Sequence, residues 1–369
     1  MFKFGFADPA AQAATDGGAG AGEAAAATAT SQVVAAAEEV AASEGRPTGS
    51  QEIVFISPQL TLFKGVISNA QAATLLSDER VESNDLIAGV YEGGFKSWEG
   101  GVDLSQFLAA ALDHQQQRQQ QSTTSLQQKD EARAVQQREV EEERREEEGR
   151  EQEGAALPAV ALSSGSRVIE LGCGHGLPGL VALRAGAEVH FQDYNRSVLT
   201  TLTIPNVEAN SGAWTTLHSS GGAAAADAAD GPDASNSGTD AAHPPGPAPN
   251  RSAAPPRARY FSGSWDALPA ELERLGLHHT YDLVLTAETI YSVEAMGSLF
   301  RCIKACLRPE TGVAYIAAKS YYFGVGGGTA AFQQLVQRDG GYSCRAVAVV
   351  DDGLSNKREV LELAPLQPQ

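Results

Sequence analysis

The chain has 369 residues, enough for two domains or one large one, and 42% of them are hydrophobic, so a substantial core can form. Its formal net charge of −19 argues against non-specific binding to nucleic acid or to anionic membranes, which needs clustered Lys and Arg, and suits a basic protein partner instead. Four cysteines in a chain of this length make no disulfide framework; Cys302 and Cys306, spaced i, i+4, read as small buried apolar residues rather than a metal site.

The first 50 residues are expected to be mostly a disordered tail, because Ala, Gly, Thr, Ser and Glu dominate and no bulky apolar period appears. The opening MFKFGFADPA lacks a signal core, and the Ala-rich tract after it carries Glu and almost no Arg, unlike a transit peptide. No apolar run approaches the ~20 residues that span a bilayer. The expected compartments are therefore cytoplasm and nucleus. Residues 51–112 read as an arm that packs on the main domain. QEIVFISPQLTLFKGV is its first segment able to dock, and Leu104, Phe107, Leu108 and Ala111 have helical spacing. Residues 113–156 are a Gln/Glu/Arg tract with good helix formers but no apolar face, so they are expected as an insert outside the core.

Residues 157–364 alternate strand and helix, interrupted by an Ala/Gly/Pro/Ser/Asp insert at 216–258 that is expected to be disordered. Strands are predicted at 167–171, 188–192, 259–262, 281–286 and 313–318, with an antiparallel pair at 344–350 and 358–363. Helices are predicted at 177–186, 198–210, 293–307 and 330–338. This is an α/β, Rossmann-like pattern: a mostly parallel sheet with an antiparallel edge and helices on both faces. Ligands on such sheets sit at the carboxyl ends of the strands.

Glu170-Leu-Gly172-Cys-Gly174-His-Gly176 follows the first of these strands and opens a helix. Glycines there let the backbone turn sharply and approach a ligand closely. An acid, Asp193, stands about twenty residues on, at the end of the next strand, where it can accept both hydroxyls of a ribose. A glycine turn without ligand and a nicotinamide site both fit the triplet alone.

Further segments recur in order: Asp85 to Glu99 (DLIAGVYEGGFKSWE), FQDYN at 191–195, LTIPNVEAN at 202–210, FSGSW at 261–265, TAETIY at 286–291 and KSYYFGVGGG at 319–328. Together they resemble the protein-histidine methyltransferases of ribosomal protein L three (the histidine protein methyltransferase 1 family, seven-strand methyltransferases), over roughly 85–112, 157–215 and 259–364. The resemblance implies S-adenosyl-L-methionine as methyl donor. It implies a donor site of Trp98, Glu99, Gly172, Gly174, Gly176, Gln192, Asp193, Tyr194, Gly263, Trp265 and Ala287. Glu288-Thr-Ile-Tyr291 is similar to the acid-x-x-aromatic motif of protein methyltransferases, which makes Glu288 and Tyr291, with Tyr322, the catalytic candidates. It is not the Asn/Asp-Pro-Pro-aromatic motif of enzymes that methylate base amines, so no direct nucleic-acid binding is expected. The partner implied is a basic large-subunit ribosomal protein, L three, met by a monomeric enzyme without metal. Ala287 stands where the family usually has Ser, and His175 replaces a common Ser and reads as a loop variant.

Plainer readings stand beside these. Trp98 fits a core aromatic as well as a donor contact. Glu288 fits an acid favoured by a helix N-terminus. The loop 324–328 fits a flexible connection as well as the wall of an acceptor pocket. A lysine methyltransferase of the same fold, and a non-catalytic module that binds donor and a ribosomal protein, are the rival functions.

Overall fold

In the computed structural model, residues 36–46, 49–87, 89–136, 162–218, 258–353 and 356–366 are described. Of the first expected insert, 137–156 lies outside the described residues, as do nearly all of the second (219–257) and the tail before residue 36. Among the described residues no helix is long and apolar enough to cross a membrane.

The arm opens with strand β1 (Glu38–Val40), then a hairpin of β2 (Gln51–Ser57) and β3 (Leu60–Gly65). Helix α1 (Asn69–Leu76) follows, and α2 (Glu99–Gln136) closes the arm. The main domain runs β4 (Arg167–Leu171), α3 (Leu177–Arg184), β5 (Glu188–Asp193), α4 (Arg196–Val198), a π turn (Leu199–Thr203) and α5 (Ile204–His218). It continues with β6 (Ala258–Ser262), α6 (Leu268–Arg274), β7 (Leu283–Ala287), α7 (Val293–Cys306), β8 (Val313–Lys319) and α8 (Thr329–Asp339), and ends with β9 (Tyr342–Val350) and β10 (Arg358–Pro365).

Eight strands form one sheet in the order β1-β6-β5-β4-β7-β8-β10-β9, and β2-β3 pair separately. β6, β5, β4, β7 and β8 are mutually parallel. β10 runs antiparallel to β8 on one side and to β9 on the other. The parallel strands bury both faces, as their alternation shows. Val168, Val189 and Leu283 pack in one cluster with Leu104 and Leu108 of α2 and Leu180 of α3. Ile169, Val284 and Ile316 pack in the other with Met296, Leu299 and Ile303 of α7. The predicted helical stripe of the arm is buried: Leu104, Phe107, Leu108 and Ala111 all face the first cluster.

Three boundaries differ from the sequence reading. Part of the expected tail is an edge strand: β1 pairs antiparallel with β6, Val40 is buried, and Glu38 and Glu39 form ion pairs with Arg196 and Arg259. Three residues held by partners far along the chain leave no local period to read. The arm has no break at 112: its last helix runs on to Gln136, so the first part of the 113–156 tract is helical, as its good helix formers allow. Helix α1 was not anticipated; Ser68 caps it, accepting from Gln71 N while the Gln71 side chain returns to Ser68 N.

Candidate functional site

β4, β5 and β7 end at one edge of the sheet, and there the arm folds back over the glycine loop and encloses a cavity of about 460 Å³. The loop needs its glycines. Gly174 has φ +49, its amide donates to Asp193 Oδ2 at 3.0 Å, and a Cβ on it would stand 3.0 Å from Gly94 O of the arm. Gly172 lines the cavity too. Gly176 does not: it caps α3 and packs on Phe191 and Thr203. Beneath the loop, Glu170 accepts from Gly179 N at 2.8 Å, and burial pushes its carboxyl pKa up to about 8.

Asp193 closes β5 against the cavity. Asn195 N donates to its Oδ1 at 3.0 Å, and burial still raises its pKa to about 6. Gln192, next to it, is 1% exposed and lies under the wall rather than in it. Its amide donates to Gly263 O at 2.8 Å, and its Oε1 accepts from Gly172 N at 3.2 Å and Trp265 Nε1 at 3.0 Å. One side chain thus sets the spacing of the glycine loop, Gly263 and the Trp265 ring, both of which do line the cavity. Ala287 lines it from the end of β7.

The other wall is the arm. Trp98 is half-buried in this wall, its Nε1 donating to Gly93 O at 2.9 Å, so it is not a core aromatic. Tyr194 OH donates to Gly89 O at 3.0 Å and Asn195 Nδ2 to Val90 O at 2.8 Å, which ties the arm to the end of β5. Asn206 of α5 ties it from below, donating to His175 O at 2.9 Å and accepting from Gly65 N at 2.7 Å. Glu99 does not line the cavity. It sits 3.3 Å from Lys319 and 3.6 Å from Arg358, whose main partner is Asp103 at 2.6 Å.

At the far end stand two acid–tyrosine pairs. Glu288, in the left-handed region with φ +59, accepts from Tyr322 OH and from Gly100 N, the latter at 3.1 Å. Burial raises its pKa, while Tyr322 and the nearby Lys319 pull the other way. A helix N-terminus does favour this acid, but it belongs to α2, not to the α7 that follows in sequence. Tyr291 OH donates to Glu92, whose other oxygen accepts from Gly89 N at 2.7 Å. Glu288, Tyr291, Tyr322 and Glu92 all line the cavity. The loop after Tyr322 is tied down: Gly327 N and Gly328 N donate to Tyr291 O and Ile290 O. His175 is buried against the glycine loop, and burial lowers its pKa to about 3, so it is neutral.

Sequence reading missed Glu92, Asn195, Asn206 and Lys319. All four lie in segments that carry the resemblance, but nothing local shows that Glu92 meets Tyr291 or that Asn206 spans the arm and the glycine loop. Among the described residues no group of three or more His, Cys, Asp or Glu could hold a metal ion.

No family model matches the chain. It is 30% identical over 286 residues to the histidine protein methyltransferase 1 homolog of Dictyostelium discoideum, covering 78% of this chain and 62% of that protein. The histidine protein methyltransferase 1 homolog of Bos taurus is 31% identical over 320 residues, covering 85% of this chain and 66% of that protein. The chain thus spans a little under two thirds of these relatives' length. Among solved structures, a TehB-like SAM-dependent methyltransferase from Corynebacterium glutamicum aligns with 55% of the chain and 82% of its own length, at 13% identity and a TM-score of 0.33.

Proposed function

We propose that this chain, a homologue of the histidine protein methyltransferases over 78–85% of its length, is an S-adenosylmethionine-dependent protein-histidine N-methyltransferase. The observation that carries the reading is the single cavity joining the glycine loop and Asp193 at one end to Glu288 and Tyr322 at the other.

The residues suit the donor. Gly174 leaves bare backbone where a side chain would stand, and Asp193 offers a carboxylate to paired hydroxyls. Trp265 and Trp98 present rings, and the acids Glu92 and Asp193 suit a ligand bearing sulfonium and ammonium charges. When bound, S-adenosylmethionine supplies a methyl group on a cationic sulfur, which leaves as a neutral thioether. A neutral imidazole, with an unperturbed pKa of ~6.5, is already nucleophilic near pH 7. The protein therefore has chiefly to position the ring and exclude water. Glu288 accepts the ring N–H, fixing the tautomer so that the opposite nitrogen carries the lone pair. The same carboxylate then stabilises the imidazolium and takes its proton. Gly100 N–H and Tyr322 hold that carboxylate in place.

The acceptor in this reading is a histidine of the free large-subunit ribosomal protein L three, modified at the tele nitrogen in cytoplasm or nucleus before assembly. The acidic chain and a basic substrate are complementary. The test is tritiated-donor labelling of purified free L three and of its His→Ala variants, with mass spectrometry of the labelled site. Loss of label in one His variant is the expected result. Label that persists in every His variant, or lies on lysine, assigns the chain to lysine methylation. Donor binding without any transfer makes it a binding module.

A further inference from the structure

The segment Tyr321-Tyr322-Phe323 alternates direction at the mouth of the cavity. Tyr322 turns inward to Glu288 and is 6% exposed, while Tyr321 and Phe323 turn outward at 50% and 71% exposed. The two outward rings meet edge to face, with centroids 5.1 Å apart. Val293, 59% exposed, completes the lip: Ser292 and Gly326 form an antiparallel bridge, and a Cβ on Gly326 would touch Val293 Cγ2 at 3.7 Å. Large apolar side chains left in water beside an opening mark an interaction site. The loop that carries them is held, not loose, by Tyr322 N to Gly327 O at 3.1 Å and Gly327 N to Tyr291 O at 3.1 Å.

The flanks are acidic. Glu294 is exposed beside Val293. The turn between β9 and β10 reaches the lip through Asn356 Nδ2, which donates to Tyr321 O at 3.4 Å, and it exposes Asp351, while Asp352 beside it pairs with Arg358 at 3.2 Å. Lys357, the cation of that turn, is paired with Glu359 at 3.1 Å. This charge repels an anionic lipid surface, and it repels a second copy of a chain whose formal charge is −19. It attracts a cationic polypeptide.

We propose that Val293, Tyr321 and Phe323 form a docking lip that seats a bulky apolar side chain flanking the acceptor residue, in an extended, Lys/Arg-rich segment of the protein substrate. The proposal rests on the histidine-methyltransferase reading for the chemistry, but the lip itself is read by binding. An apolar neighbour buried on the lip anchors the segment, the carboxylates at its edges steer it, and the acceptor side chain enters between Tyr322 and Tyr291.

The test uses the full chain, free ribosomal protein L three and two fluorescent peptides. Each peptide has one His among Lys and Arg; one has Leu and Phe beside the His and the other has Ser. In the wild type, anisotropy should show the apolar-flanked peptide bound about tenfold more tightly, and the double variant Tyr321→Ser/Phe323→Ser should erase that preference. Phe323→Leu should retain most of it. With L three as substrate, the double variant should raise KM about tenfold with kcat and donor affinity unchanged. Glu294→Gln should weaken binding of both peptides at low salt and neither at high salt. Equal binding of the two peptides by the wild type, or a preference that survives in the double variant, overturns the lip. If the wild type transfers no methyl to any protein histidine, the reading of the chemistry fails, while the peptide comparison still decides the lip.

Discussion

Gly100 and Glu288 lie 188 residues apart in the chain, yet the Gly100 N–H donates to the Glu288 carboxylate at 3.1 Å. The first turn of α2 thus presents one of its amides to the acid just after β7, as helix N-termini do for anions. Glu288→Ala removes the proposed ring partner without touching the glycine loop. Donor affinity by calorimetry should stay near wild type, while single-turnover transfer to the histidine substrate falls about 10²–10⁴-fold. Parallel losses of binding and turnover would place Glu288 in the donor site instead.

Asp193 gives a pH-dependent prediction. Its carboxyl, raised to about 6, is protonated in the free protein below that pH and then accepts poorly from hydroxyls. A ligand that donates hydrogen bonds to it favours the ionised form and lowers its pKa. Donor affinity should therefore be high above pH 6 and decline as pH falls through it. Asp193→Asn should flatten that profile, and Asp193→Ala should weaken the donor by ~1.5–3 kcal/mol at neutral pH. An unchanged profile in Asp193→Asn would show that another group titrates.

Gly174→Ala tests the close approach of arm and loop. The position has φ +49, and its new Cβ would stand 3.0 Å from Gly94 O. The left-handed backbone costs an alanine about 1 kcal/mol, so the fold should survive by circular dichroism. Calorimetry should find donor affinity lowered by more than about tenfold, because the arm must shift. Unchanged affinity would mean that the loop does not shape the donor site.

Glu170 should show in stability against pH. Its folded pKa of about 8 lies above the 4.5 of an unperturbed glutamate, so the folded state holds the proton more tightly. Its contribution is fully present below about pH 4.5 and is lost progressively as pH rises to about 8. Glu170→Gln keeps an acceptor for Gly179 N and cannot ionise. Its Tm relative to wild type should rise between pH 5 and pH 8. A constant difference across that range would refute the assignment.

Arg358 and Asp103 form a nearly dry ion pair between β10 and α2, with side chains 7% and 9% exposed. Asp103→Ala leaves the guanidinium with only its weaker partners, and urea unfolding should show a loss of about 3–5 kcal/mol. Replacing both, as Asp103→Leu with Arg358→Met, should recover most of it. A double variant no more stable than the single would indicate that the loss is not an uncompensated charge.

The parallel strands and their helices were legible because each carries its own periodicity: Val168 and Ile169 declare two buried faces within two residues. The glycine loop and Asp193 were legible because chain order alone places them at adjacent strand ends. Glu92, Asn206 and Lys319 were not, since each acts through a partner distant in sequence and looks locally like any polar residue. Glu99 shows the converse. It stands in the motif beside Trp98, but the pull of Lys319 and Arg358 turns it away from the cavity.

β10 lies between β8 and β9, although it follows both in the chain. On a ribosome, the nascent chain would expose the glycine loop and Asp193 long before that slot is filled. Until Arg358 emerges, the edge of β8 has no partner on its outer side, and Asp103 of α2 lacks its cation. Competence to bind donor and acceptor together would thus wait for β10 and arrive in one step, when it inserts beside β8 and pairs Arg358 with Asp103.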